Sequence, residues 1–168
     1  MRVGFGYDAH RLATGRPLIL GGVEIPYQLG LSGHSDADVL THALGDALLG
    51  AVAAGDLGGH FPDSDPAYRG ISSLTLLARI VAVVQSRGYK PLNVDVTVVA
   101  EQPKLAPYVP QMIAKLAPIL GLAPEEVSIK ATSTEKMGFA GREEGIAAYA
   151  VVLVARESPA LPFPLELG

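Results

Sequence analysis

The chain contains no cysteine. Disulfides and thiolate metal ligands are therefore excluded, and any bound metal must be held by histidine and carboxylate. No apolar run reaches the roughly 18 residues that a membrane-crossing helix requires, so no membrane association is expected. The N-terminal stretch MRVGFGYDAH lacks the apolar core of a signal peptide, which points to a cytoplasmic protein. Charge is also sparse: 18% of residues are charged, and the net charge of -4 argues against general nucleic-acid binding. A small phosphorylated substrate stays compatible with that balance, because metals and a few local Lys or Arg side chains can neutralise it. The sequence has no G-x-x-x-x-G-K-[ST] loop, no G-x-G-x-x-G turn and no G-x-S-x-G elbow. Phosphoryl transfer, run by metals and positioned donors, needs none of these.

What is present fits one domain. The 168 residues, 49% of them hydrophobic, can bury a real core, and no internal boundary or repeat interrupts them. We expect a single catalytic domain over 1–168, with a Pro-rich tail over 156–168. The organising stretch runs from Ser32 to Gly50. At about 100° per residue, Leu40, Ala43, Leu44, Ala47, Leu48 and Ala51 fall on one apolar side of a helix. Asp38, His42 and Asp46, spaced four apart, form a polar stripe away from that side. Ser35 and Asp38 fit a capping box, and the helix start suits an anion. The alternative is that both residues merely cap and that His42 is a partly buried surface histidine.

Residues 2–12 alternate as a strand, with Gly4, Gly6, Asp8 and His10 on one face and Val3, Phe5, Tyr7 and Ala9 on the other. Asp8 and His10 are a workable metal pair or a plain polar strand end. Pro17 to Gly30 reads as a hairpin turning at Gly21-Gly22. The loop GDLGGHFPDSDPAY, residues 55–68, either brings backbone amides to a phosphate or is a surface loop with Asx-turns at Asp63 and Asp65. Ile71 to Arg87 is a helix with Leu74, Leu77, Ala78, Val81 and Val84 inward and Gly88 as its stop. Leu92 to Ala100 is a strand leading into a turn at Pro103. Tyr108 to Leu120 is a helix disturbed at Pro118 and ended at Gly121. Val127 to Ala131 and Ile146 to Ala155 are strands, and both faces of the last are apolar. Three helices do not cover both sheet faces, so oligomerisation is expected to bury the second. Between these strands, Thr132, Ser133, Thr134, Glu135, Lys136 and Arg142 gather hydroxyls and charges among glycines. That group suits phosphate oxygens, with Glu135 able to hold a bridging magnesium, or it is a solvated turn.

The blocks GYDAHRL, LILGGVEIPY, SGHSDADVLTHALGDALLGA, GDLGGHFPDSDPAY, NVDVTVVAEQPK and IKATSTEKMGFAGREEGIAAYAV occur together, in order, over all but the tail. In them the chain resembles the 2-C-methyl-D-erythritol 2,4-cyclodiphosphate synthase family of the non-mevalonate isoprenoid pathway. The resemblance implies an α+β domain: a mixed four-stranded sheet with helices on one face, and three sheets packed together in a homotrimer with active sites between subunits. It implies zinc on Asp8, His10 and His42, and magnesium or manganese on Glu135. It assigns phosphate binding to His34 and Ser35, and the methylerythritol pocket to Asp56, Leu57, Gly58, Phe61, Pro62, Asp63, Ser64 and Asp65. The turn Ala100, Glu101, Gln102, Pro103, Lys104, Leu105 and Ala106 would read cytosine, largely through backbone groups. Thr132, Thr134, Phe139 and Arg142 would surround the nucleotide, and His34 and Ser133 would stabilise the transition state. Ser133 stands where the family usually has Thr, keeping the hydroxyl, and Ala140 replaces a frequent Thr. His60 matches no ligand role. The implied reaction converts 4-diphosphocytidyl-2-C-methyl-D-erythritol 2-phosphate to the cyclic diphosphate with release of CMP. Two rivals remain: a metal-dependent phosphodiesterase or pyrophosphatase, using the same ligands to activate water, and a non-catalytic nucleotide-binding or scaffold protein with a structural zinc, which would need a fourth protein ligand that is not evident.

Overall fold

In the computed structural model, which describes residues 1–157, the first strand sets the frame. The expected tail lies outside the described residues from 158 onward. β1 (Arg2–Ala13) alternates as its sequence predicts, with Gly4 and Gly6 buried and Val3, Phe5 and Tyr7 exposed. The helix α1 (Val39–Ala51) crosses the glycine face closer than any side chain would permit. A Cβ on Gly4 would sit 1.9 Å from the Ala47 carbonyl oxygen, and one on Gly6 2.0 Å from that of Ala43. Only Asp46 and Gly50 of α1 escape burial, so the expected polar stripe is not a solvent face.

Asp38 is the N-cap of α1, where the sequence had suggested Ser35. Its fully buried carboxylate accepts from the Thr41 N–H and hydroxyl at 3.1 and 2.7 Å. It also accepts from the N–H groups of Gly21 and Gly22 at 3.0 and 2.7 Å. Those glycines, at φ of 55° and 70°, turn the hairpin formed by β2 (Leu18–Leu20) and β3 (Val23–Ile25). One carboxylate thus pins the hairpin to the start of the helix. Burial pushes its carboxyl above the ordinary range, opposed by the Thr41 and Gly22 donors.

The main sheet has five strands, not four, in the order β4–β1–β7–β5–β6. The additional strand, β4 (Gly30–Leu31), pairs only with Leu12 and Ala13 and is too short to show an alternation in sequence. β5 (Tyr89–Val99) runs parallel to β6 (Val127–Thr132), and the other pairings, including β7 (Gly145–Arg156), are antiparallel, so the sheet is mixed. The α+β class holds. A single turn, α2 (Leu57–His60), leads to α3 (Ser73–Ser86) and α4 (Val109–Leu120). α3 buries Ser73, Leu76, Leu77, Ile80, Val81 and Val84, but leaves Ala78 exposed where an inward position was expected; α4 runs through Pro118 and is capped at Gly121, φ 68°, as expected. α5 (Gly138–Gly141) is a further single turn. No helix among the described residues is long and apolar enough to cross a membrane.

Ile146, Ala148, Ala150, Val152 and Val154 of β7 are buried with Val94, Val96 and Val98 of β5. The opposite face is open. There the rows Phe5–Val151–Asp95 and Tyr7–Tyr149–Thr97 cross three strands. Phe5 is 63% exposed and Val3 67%, an apolar patch of the kind that marks an interface.

Candidate functional site

Asp8 and His10 follow the two glycines along the covered face of β1, at the end where α1 begins. His42 stands one turn into that helix. Asp8 Oδ2 lies 2.9 Å from His10 Nε2 and 3.1 Å from His42 Nδ1, and those two nitrogens are 3.2 Å apart. One ligand atom from each residue falls within 4.8 Å of the others. His10 Nδ1–H donates to the Ser32 carbonyl at 2.7 Å, which turns the Nε2 lone pair inward. Two imidazoles and a carboxylate converging in this way fit a divalent ion of the zinc type, with a coordination position left for a ligand. Burial works against ionisation of Asp8, yet the neighbouring imidazoles of His10 and His42 hold its carboxyl well below the usual range. Burial likewise works against a charged His10, but Asp8 and the Ser32 carbonyl raise its pKa above the ordinary value.

The cluster opens on a cavity of about 410 Å³. His34 and Ser35 form one rim, on a segment clamped by Arg16, whose guanidinium donates to the carbonyls of Gly33 at 2.5 Å and Ser35 at 2.6 Å. His34 Nε2 also reaches the Asp65 carbonyl at 3.3 Å. Leu57, Gly58, Phe61, Pro62 and Asp63 line the far side. Asp56, Ser64 and Asp65 stand outside that lining; Asp56 caps α2 through Gly59 N–H, and Asp65 caps the following turn through Ala67 N–H. The 55–68 loop is ordered by these caps. His60 donates to the Ala54 carbonyl at 2.8 Å and so ties the loop to the end of α1.

A second hollow, of about 130 Å³, lies where the parallel strands β5 and β6 end. Ala100, Glu101, Pro103, Lys104, Leu105, Thr132 and Ser133 line it, while Gln102 and Ala106 do not. Ser133 donates its hydroxyl to Glu135 at 2.8 Å. Thr134 closes the turn on the Met137 carbonyl, and Arg142 pairs with Glu144 at 2.8 Å. Phe139 lines a third hollow with His10, Arg11 and Glu144. The residues marked out in sequence thus fall into separate groups in one chain.

Four further residues of the first cavity went unmarked as site residues: Gly33, Asp46, Tyr68 and Leu76. Asp46 was visible only as a member of the Asp38–His42–Asp46 spacing. Its carboxylate accepts the Leu57 N–H at 2.7 Å, and burial, with the charges of Asp56 and Asp8 adding to it, raises its pKa. Tyr68 and Leu76 carried no signal that set them apart from core residues.

The chain was compared with known proteins. It is 63% identical over 155 residues to 2-C-methyl-D-erythritol 2,4-cyclodiphosphate synthase of Symbiobacterium thermophilum, covering 92% of this chain and 99% of that protein. Among solved structures, a CDP-bound form of such a synthase superposes with a TM-score of 0.84 at 37% identity, covering 92% of this chain and all of that one. The bifunctional IspDF of Campylobacter jejuni superposes with a TM-score of 0.90 at 39% identity; 94% of this chain matches 42% of that longer protein. The model of the YgbB family matches residues 1–155, and the chain belongs to that family.

Proposed function

We infer that the chain converts 4-diphosphocytidyl-2-C-methyl-D-erythritol 2-phosphate to 2-C-methyl-D-erythritol 2,4-cyclodiphosphate and CMP. The observation that carries this reading is the Asp8–His10–His42 cluster opening on a cavity of about 410 Å³, in a chain so similar to named synthases. In the reaction a 2-phosphate oxygen attacks the β-phosphorus, and the bond to the CMP phosphate breaks. The nucleophile is already an anion near neutral pH and the leaving phosphate is a weak base, so neither a general base nor a strong acid is needed. The protein must fold the substrate back, align it and offset repulsion between anions.

Asp8, His10 and His42 would hold zinc, and Glu135 magnesium or manganese. Bound there, such ions supply charge neutralisation and Lewis-acid polarisation of the diphosphate. His34 and Ser35, on the segment held by Arg16, donate to phosphate oxygens. The 56–58 and 61–65 segments enclose the methylerythritol unit, with Leu76 and Tyr68 as apolar wall. The 100–106 turn takes the cytosine. Thr132, Ser133, Thr134, Phe139 and Arg142 surround the nucleotide, and Ser133 and His34 stabilise the transition state.

The two groups belong to different copies of the chain. Asp8, Ala148, Val98 and Ala131 share one row across the sheet. That row separates the metal group from the end of β6 by three strand spacings, about 14 Å. Two ions that share one diphosphate must lie closer than that. A homotrimer packed through the open sheet face would bring one subunit's metal group to the next subunit's nucleotide group.

Incubation with the diphosphocytidyl substrate and phosphorus NMR of the products tests the reaction. Cyclic diphosphate and CMP are expected, and an open diphosphate would overturn cyclisation in favour of hydrolysis. Mixed trimers of His42→Ala and Glu135→Ala chains test the shared site. Every mixed ring contains one intact junction, so random equal mixing should restore about a quarter of the activity. Mixed rings, verified by mass spectrometry, that stay inactive would place the site within one chain.

A further inference from the structure

On the side facing away from Asp8, His42 meets a chain of groups that none of the roles above employs. Its Nε2 lies 2.9 Å from the hydroxyl oxygen of Ser73, a fully buried residue that opens α3. The Ser73 hydroxyl donates to Asp36 Oδ1, and the Ser73 N–H donates to Asp36 Oδ2 at 2.9 Å. Asp36 is itself fixed, because its own N–H donates to the Ile71 carbonyl at 3.1 Å. A hydroxyl carries one proton. With that proton committed to Asp36, Ser73 has only lone pairs to offer His42, so Nε2 must be the donor. Protonation at Nε2 leaves Nδ1 as the lone pair that faces Asp8 and His10. His10 reaches the equivalent state by a shorter route, through the Ser32 carbonyl.

We propose that Asp36 and Ser73 are positioning residues of the metal group, a carboxylate–hydroxyl–imidazole relay that fixes the His42 tautomer and strengthens Nδ1 as a ligand. The proposal rests on the reading of Asp8, His10 and His42 as metal ligands. An outer partner of this kind sets ring orientation and ligand basicity, and its loss typically weakens metal binding about 10- to 100-fold. Ser35 shares the same Nε2–H, with its hydroxyl oxygen 3.1 Å away and also accepting from Ala37 N–H at 3.1 Å. As an acceptor in both contacts, Ser35 keeps its own proton for an anion in the cavity. It also gives His42 a second acceptor, so removal of Ser73 should fall at the mild end of the range.

The test uses the full chain and zinc alone. Chelator competition should show Ser73→Ala binding zinc about tenfold more weakly than wild type, and Asp36→Asn, whose amide can offer its own N–H to Ser73 and reverse the hydroxyl, more weakly still. In zinc-loaded, nitrogen-15-labelled protein, the His42 Nε2–H proton should exchange slowly with solvent. In Ser73→Ala it should shift and exchange faster, while the His10 Nδ1–H signal stays in place. A merely structural serine would not move one imidazole proton and spare the other. Tight zinc binding by wild type and Ser73→Ala alike would overturn the relay alone. Wild type that binds no zinc would overturn the metal reading and the relay with it. If Ser73→Ala does not fold, the wild-type proton decides: exchange as fast as that of an exposed imidazole sinks the relay.

Discussion

Around Asp8, His10 and His42 each outward ring nitrogen has a partner of its own, whereas the groups at the ends of β5 and β6 are only partly matched. On the first side, Ser32, Ser35, Ser73 and Asp36 hold the two imidazoles, and Arg16 holds the rim. On the second, Thr132 and Glu135 are exposed, Glu135 and Lys136 keep left-handed φ values of 51° and 64°, and a buried Glu101 oxygen lacks a partner among the described residues. Hydrogen bonds between buried groups fix a geometry before any ligand arrives, and exposed groups wait for one. The first half is prepared by one chain. The second is exposed and incomplete in one chain, as the proposed sharing of the site between subunits requires.

His42→Ala should break the prepared half outright, with zinc lost and turnover abolished. Because His42 is buried, loss of its contacts with Ser73 and Ser35 should also cost about 1–3 kcal/mol of stability, although Ser73 keeps Asp36 and Ser35 keeps Ala37 N–H. Zinc content, product formation and a denaturation curve check this; full zinc and full activity together would contradict it. Phe5→Asp, on the open sheet face, should separate the halves by preventing assembly. Turnover should then fall to a few per cent or less while each monomer still binds zinc, as sedimentation and metal analysis would report. Glu135→Gln should damage only the second half, with turnover down about a hundredfold. Zinc stoichiometry should be unchanged, and CMP affinity measured without magnesium should fall far less than turnover.

The smallest effect is expected at Lys130→Ala. Lys130 holds the Asp95 carboxyl below its usual range on the open face. A depressed carboxyl adds stability above the unfolded value of about 3.9 and loses that increment as pH falls through the folded value. In the single chain both side chains are about half exposed, so in the unassembled Phe5→Asp background the added substitution should cost under about 1 kcal/mol at neutral pH, and less again in acid. A larger loss, or one that grows in acid, would mean that the pair is not acting as an exposed ion pair.

Strong local patterns were readable in the sequence. The glycine–aspartate–histidine face of β1, the Gly21-Gly22 hairpin and the stop at Gly121 follow from alternation and turn chemistry. Asp8 and His10 were visible as a pair on the same grounds. The face of α3 was readable in part: Leu77, Val81 and Val84 are buried as expected, but Ala78 is exposed, because SLTLLARIVAVV is apolar on several sides. At its start Ser73 reaches Asp36, a contact across 37 residues that periodicity does not show. Asp38 imitated a stripe member through its spacing from His42, yet it binds two glycines of a hairpin that periodicity does not connect to the helix. β4 was missed because two residues are too few to alternate. Tyr68 and Leu76 become part of the cavity only once the 55–68 loop folds over α1.

The close seat of α1 on Gly4 and Gly6 has a consequence for how the site tolerates change. The separation between His42 and the Asp8–His10 pair is gauged by backbone lying on backbone, not by the side chains that fill the rest of the core. Leucines and valines around the helix can be exchanged for others of similar volume without resetting that gauge. A single methyl at either glycine acts as a wedge. It lifts the helix that carries His42 from the strand that carries Asp8 and His10, and so pulls the cluster apart without altering any residue in it.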